Sequence, residues 1–334
     1  MKFGVLQFFS WPDRRVAMPV VYERALGRIE IMDRSGYDAV WITEHHFNDY
    51  SVCPSIPVMG AYAAARTKNL HIATGVTLAA FYHPLRLAEE IALLDILSGG
   101  RVYWGAGRGF DPKEFRTFGM TPEESYPRFR ESVDVVMRAW QNQRVSYQGK
   151  YFSFENVEVL PKPLQQPHPP MWVAAYAPTA IEWAAEQGYS IMLDPHSPTA
   201  MIDEKMATWR ELMTKYGHSI EGRVLPTVRL TAIADTDAKA AAIAREGSRY
   251  LLRTYVNPQG ERGESDAMAE RYVDQMVIHG TAERVVEKIR TLHEEIGLDY
   301  MITAPLSHET FLAFTDKVLP QLATTEPVIA PSPK

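Results

Sequence analysis

Between Phe3 and Leu322 the chain repeats one alternation: a short apolar run, then a longer segment with apolar residues at helical spacing. Strands are predicted over 3–8, 39–42, 70–76, 102–106, 171–175, 190–193, 224–233 and 300–304. Helical patterns fill the intervals, as at 20–34, 84–97, 123–140 and 282–296. Eight strand–helix units in 334 residues predict an α/β fold, a (β/α)8 TIM barrel with insertions. An open, doubly wound sheet is the competing arrangement.

Two stretches break the rhythm. Residues 144–170 hold a predicted hairpin, Val145 to Phe154, and then a proline-rich run. Residues 256–280 are polar and carry Gly260 and Gly263, which predicts a long loop able to act as a lid. The expected organisation is one domain over 1–323, with insertions at about 144–170 and 256–280, and a proline-bearing tail over 324–334 that packs loosely. A net charge of -6 argues against a nucleic-acid partner. The single cysteine, Cys53, excludes a disulfide framework and fits a reducing compartment. Apolar runs fall far short of a membrane span, and the N-terminus runs directly into a strand, leaving no room for a signal peptide. A cytoplasmic protein is expected, with no membrane contact.

Chemistry concentrates where strands end. The strand Ala39–Ile42 is followed by Thr43-Glu44-His45-His46-Phe47, and packing alone asks for no carboxylate or imidazole there. Adjacent residues of an extended strand face opposite ways, so the two histidines should have different tasks. One is expected to be structural, bonded to Glu44 or to backbone. The other is a neutral general base or hydrogen-bond donor. The spacing suits no single metal ion, and no HExxH is present.

A second cluster, Gly105-Ala106-Gly107-Arg108-Gly109, follows the fourth strand. Its glycines allow close approach of a ligand, and Arg108 can pair with a phosphate. The plain alternative is a glycine-rich bend with a surface arginine. A third, Ala174 to Ala180, ends a strand and opens a helix near Pro178 or Thr179. Free N–H groups at such a helix start favour anions, and with Arg108 they would form a two-sided phosphate clamp. An ordinary N-cap is the plain alternative. Tyr82-His83-Pro84 and Asp194-Pro195-His196 read as loop chemistry at two further strand ends.

In this order, Glu44-His45-His46-Phe47, Thr74-Gly75-Val76, His83-Pro84-Leu85-Arg86, Ser98-Gly99-Gly100-Arg101, Gly107-Arg108-Gly109, Glu182-Trp183-Ala184-Ala185 and Gly280-Thr281-Ala282-Glu283 resemble the bacterial luciferase-like family of flavin-dependent monooxygenases. The resemblance runs from the first strand to near residue 320. It implies a TIM barrel that binds reduced FMN supplied by a separate flavin reductase, and a C4a-peroxyflavin that oxygenates a small, mostly apolar substrate with O2. By the same resemblance, His45 is the catalytic residue. The implied cofactor-binding residues are Glu44, Gly75, Val76, Gly107, Arg108, Tyr176, Ala177, Thr179 and Ala180, with no metal.

Gly75-Val76 matches a place where such barrels often hold a non-prolyl cis peptide. Light-emitting relatives have a cysteine where Gly107 stands, so space is expected to open above the flavin ring. They also have Glu and Ser where Tyr176 and Ala177 stand. Both departures argue against luminescence. The family's pairing mode implies a homodimer through the helices at 54–65 and 84–97. Phe8, Trp41, Phe47, Phe81, Trp104 and Phe110 are candidate apolar walls. The alternatives are a deazaflavin-dependent oxidoreductase on the same barrel, a non-catalytic flavin-binding protein, and a metal hydrolase using His45, His83 and His196.

Overall fold

The computed structural model describes residues 1–256 and 262–324. Its strands are β1 (Lys2–Gln7), β2 (Ala39–Ile42), β3 (His71–Thr74), β4 (Thr77–Leu78), β5 (Val102–Gly107), β6 (Val145–Gln148), β7 (Ser153–Val157), β8 (Met171–Ala174), β9 (Ser190–Met192), β10 (Thr227–Ile233), β11 (Val277–Gly280) and β12 (Tyr300–Pro305). Its helices are α1 (Met18–Ser35), α2 (Ile56–Arg66), α3 (Pro84–Ser98), α4 (Pro112–Thr117), α5 (Pro122–Gln141), α6 (Pro178–Glu186), α7 (Thr199–Lys215), α8 (Asp237–Leu251), α9 (Arg262–Gln275), α10 (Ala282–Ile296), α11 (His308–Ala313) and α12 (Leu319–Leu322).

Local chemistry sets the boundaries. Pro84 opens α3, and Gly99 closes it in the left-handed region (φ 72°), its N–H reaching Asp95 O and Ile96 O. Thr121 and Glu124 form a reciprocal capping box at the start of α5. β1, β2, β5 and β10 are buried at every residue, as parallel strands covered on both faces require.

The chain forms two compact units, one of residues 8–33 and 40–174, the other of residues 1–7, 34–39 and the described part of 175–331. In the first of these, β3, β4 and β8 each pair parallel with β5, while β6 and β7 form an antiparallel hairpin. Its core includes Trp41 edge-on to Trp172 at 5.6 Å and Trp104 against Trp140 at 4.9 Å. In the other unit β1 pairs parallel with β12, β12 with β10, and β10 with β11. Phe3 packs edge-on to Phe314 there, and Thr231 shares a hydroxyl contact of 2.8 Å with Thr303.

The fold is α/β with parallel strands, as expected, and the hairpin is where the pattern put it. Residues 256–280 are a correction. In place of a long loop, α9 and β11 occupy most of the stretch. Gly260 lies outside the described residues, as does the tail beyond 324. The strand expected over 70–76 stops at Thr74, and a cis Gly75–Val76 bond precedes β4. No described helix is long and apolar enough to cross a membrane.

Candidate active site

β2 gives way after Ile42 to a loop tied down along its length. His45 N–H donates to Cys53 O at 3.1 Å, and Thr43 and Ser51 hydroxyls meet at 3.1 Å. Phe9 N–H donates to Ser51 Oγ at 3.2 Å, and Val52 N–H returns a bond to Phe9 O at 2.9 Å. Tyr22 O–H closes on Val52 O at 2.6 Å. The chain bends at Phe47, whose φ of 60° is rare for a bulky residue. Ordinary hydrogen bonds thus fix the positions of His45 and Tyr50.

Both histidines lie in the loop beyond β2, not in an extended strand, and their rings turn to different side chains. His45 is buried, with Nδ1 2.6 Å from Tyr50 Oη and 3.4 Å from Glu114 Oε1. Phe8 lies parallel to its ring, and Phe110 stands edge-on at 6.5 Å. His46 turns to Glu44, with 3.1 Å between Nε2 and Oε1, and its backbone N–H donates to Glu114 Oε1 at 2.8 Å. Phe47, Phe81 and Phe118 surround the His46 ring. Glu44 also accepts from Leu78 N–H at 3.3 Å. Burial pushes its carboxyl above the ordinary range, and His46 offsets this only in part. Tyr82, bonded to Glu44, is pushed up by burial and by the charge of Glu44.

Of the six expected aromatic walls, Phe8, Phe47, Phe81 and Phe110 stand by the histidines. Trp41 and Trp104 are fully buried against other tryptophans and belong to the core, since rings that large fill the space beneath a sheet.

Glu44 leads to the rest of the strand ends in the same unit. Leu78 is in register with Gly107. Thr74 Oγ1 donates to Gly105 O at 2.6 Å and accepts Gly105 N–H at 2.8 Å, so β3 and β5 are clasped beside the cis bond. A Cβ on Gly107 would lie 2.3 Å from Val76 Cγ2. This corrects the expectation of open space there: Val76 fills the place a side chain at 107 would take.

Arg108 follows. Its Nη1 donates to Ser125 Oγ at 2.7 Å, and the guanidinium lies over Tyr126 at 4.2 Å and Phe115 at 5.5 Å. Burial pulls its pKa below the usual guanidinium value. Among the described residues no carboxylate pairs with it. A half-desolvated cation held by a hydroxyl and two rings is a ready partner for a dianionic oxygen group.

The remaining expected residues belong to the other unit. α6 begins at Pro178 with Ala177 as N-cap and no side-chain cap, and Ala180 N–H is taken by Ala177 O at 2.9 Å. Tyr176 is exposed, with Lys205 Nζ 4.0 Å over its ring. Beyond β9, Asp194 accepts from Lys205 Nζ at 2.7 Å, from the Ser197 hydroxyl at 3.0 Å and from His196 N–H at 2.8 Å. Burial pushes the Asp194 carboxyl up, but Lys205 and His196 outweigh it and the net shift is downward. His196 Nδ1 meets Tyr272 Oη at 2.9 Å, and burial lowers the ring to about 4. This network was read from sequence only as loop chemistry.

Tyr50, Glu114, Ser125 and Tyr126 were not picked out by sequence reasoning. Glu114 sits on α4, a one-and-a-half-turn helix opened by Asp111 as N-cap, and Asp-Pro at 111–112 was the available signal. The other three carry no motif of their own. Among the described residues no group of three His, Cys, Asp or Glu could hold a metal ion.

Residues 1–300 match the family model described as luciferase-like monooxygenase. The oxygenase component of a flavin-dependent trigonelline monooxygenase from Acinetobacter baylyi is 31% identical over 249 residues, covering 74% of this chain and 69% of that one. Among solved structures, the monooxygenase RslO1 from Streptomyces bottropensis is 28% identical with a TM-score of 0.85, covering 97% of this chain and 100% of that one. The oxygenating constituent of 3,6-diketocamphane monooxygenase from Pseudomonas putida, in complex with FMN, is 20% identical with a TM-score of 0.80, covering 98% and 99%. At that identity the last likeness speaks to the fold alone.

Proposed function

Because the chain belongs to the luciferase-like monooxygenase family, and is therefore an oxidoreductase, we propose that it uses reduced FMN and O2 to oxygenate a small, mostly apolar organic substrate. A separate flavin reductase supplies the reduced flavin. The Acinetobacter relative's name, the oxygenase component of a flavin-dependent monooxygenase, supports both the two-component arrangement and a flavin. Closure of the strands into a (β/α)8 barrel, pairing of two copies through α2 and α3, and a cytoplasmic location are parts of the same proposal.

Arg108 is the observation that carries the reading. Its half-buried guanidinium has a hydroxyl and two aromatic rings for neighbours and, among the described residues, no carboxylate partner, which fits the FMN phosphate. When bound, reduced FMN supplies the two electrons by which one oxygen atom of O2 leaves as water while the other enters the substrate.

The chain's own residues manage protons and water. Glu44 fixes His46. His45, buried among Phe8, Phe110 and Tyr50, holds the proton needed at the reacting oxygen on its imidazole. The aromatic side chains keep competing water away. The test is anaerobic addition of reduced FMN, then O2 and a panel of apolar substrates, with isotope-labelled dioxygen traced into product. One labelled oxygen per product is expected. Tight binding of a reduced deazaflavin, with hydride transfer and no oxygen consumed, would overturn the reading.

A further inference from the structure

A neutral imidazole carries one proton, and what faces one nitrogen decides which nitrogen holds it. Two oxygens of the described residues lie near Nδ1 of His45. Tyr50 Oη is 2.6 Å away, and Glu114 Oε1 is 3.4 Å away. The carboxylate distance lies beyond the usual range of about 2.7–3.2 Å for an N–H···O bond. That oxygen also already accepts the His46 backbone N–H at 2.8 Å. The phenol distance suits an O–H donating to a ring nitrogen.

Tyr50 is held firmly enough to set this choice. It is 3% exposed, edge-on to the imidazole at 4.7 Å between centroids, and the neighbouring Ser51 and Val52 are bonded to Thr43, Phe9 and Tyr22. Phe8 lies parallel to the imidazole, 2° between planes, which opposes rotation of the ring.

We propose that Tyr50 is a positioning residue: its hydroxyl donates to Nδ1 and holds His45 as the Nε2–H tautomer, so that the imidazole's proton is carried on Nε2. Glu114 is the competing partner. Without the phenol hydroxyl, the carboxylate becomes the acceptor facing Nδ1, the proton moves there, and Nε2 becomes a bare acceptor. Tyr50→Phe would then turn a donor into an acceptor while leaving the imidazole in place. The importance of this for turnover rests on the role proposed above for His45. The tautomer itself does not.

The experiment is nitrogen NMR on protein with isotope-labelled histidine, without flavin, at a pH where the ring is neutral. The chain has ten histidines, and the His45 signals are those lost in His45→Gln. In the wild-type protein Nε2 is expected to be protonated and Nδ1 bare. In Tyr50→Phe the pattern reverses, and adding Glu114→Gln restores a substantial Nε2–H population. Product formed per O2 consumed should fall in Tyr50→Phe by at least about tenfold, with KM and FMN affinity unchanged, as when a catalytic histidine is held in the wrong tautomer.

A wild-type His45 protonated on Nδ1 overturns the proposal without any variant, and so does a Tyr50→Phe spectrum identical to wild type. If the tautomers behave as expected while no His45 variant changes the yield per O2, the Tyr50 assignment stands and the role proposed for His45 in oxygen transfer fails.

Discussion

Val76 Cγ2 occupies the space a side chain on Gly107 would need: a Cβ there would approach it to 2.3 Å. Gly107→Ala should therefore cost on the order of 1–3 kcal/mol, the usual penalty for overpacking. Val76→Ala in the same chain should recover most of that loss. Thermal or urea unfolding of the two single variants and the double variant measures the coupling. An unchanged midpoint in Gly107→Ala would show that the contact is not held in solution.

The glycine was legible in the sequence, but its reason was not. Gly107 stood out beside Arg108 because G-x-G-x-G after a strand is unusual. That Val76 presses on it depends on a register between β4 and β5 that no local pattern encodes. Glu44, His45, His46 and Arg108 were legible for a similar reason, since charge at the end of an apolar run has no packing explanation. Tyr50 and Glu114 were hidden because each acquires meaning only when a loop folds back on His45. The stretch 256–280 was misread because α9 is mostly polar and β11 is only four residues long, so periodicity gave little signal in either.

Arg108 is expected to recognise the phosphate rather than the ring of the cofactor. Arg108→Met keeps most of the packed stem and removes the charge. Affinity for reduced FMN should fall by about 1.5–3 kcal/mol, or roughly tenfold to 150-fold, while riboflavin affinity stays the same. Equal weakening of both flavins would remove the phosphate assignment.

His196 should make stability pH-dependent. Its pKa falls from 6.5 to about 4 in the folded chain, chiefly through burial. A depressed histidine stabilises the fold fully above its unfolded value, and that contribution is lost as pH falls from about 6.5 through about 4. Between pH 7.5 and 4.5 the wild-type protein should lose roughly 2–3 kcal/mol more than His196→Gln. Asp194 is shifted below its ordinary value, so its contribution is lost at lower pH and leaves this window clear. Parallel pH profiles for the two proteins would contradict the assignment.

Val58 and Tyr62 on α2, with Leu93, Ile96 and Leu97 on α3, are exposed. The proposed homodimer would cover them, and a stable contact needs more than about 1,000 Å². Sedimentation at micromolar concentration should show a dimer, and Val58→Lys with Leu97→Lys should leave a folded monomer. A wild-type monomer under those conditions would rule out pairing through this face.

The central claim is that His45 handles the proton of oxygen transfer while His46 serves Glu44. The most direct measurement is product formed per O2 consumed, taken beside reduced-FMN affinity, for His45→Ala and His46→Ala. His45→Ala should bind reduced FMN like the wild-type protein yet release hydrogen peroxide in place of product, with product formation down by about 10²–10⁴-fold. His46→Ala should lose stability, because the buried Glu44 loses its only imidazole partner among the described residues and keeps only Leu78 N–H and Tyr82, and keep wild-type coupling in the fraction that folds. Wild-type coupling in His45→Ala would contradict the account.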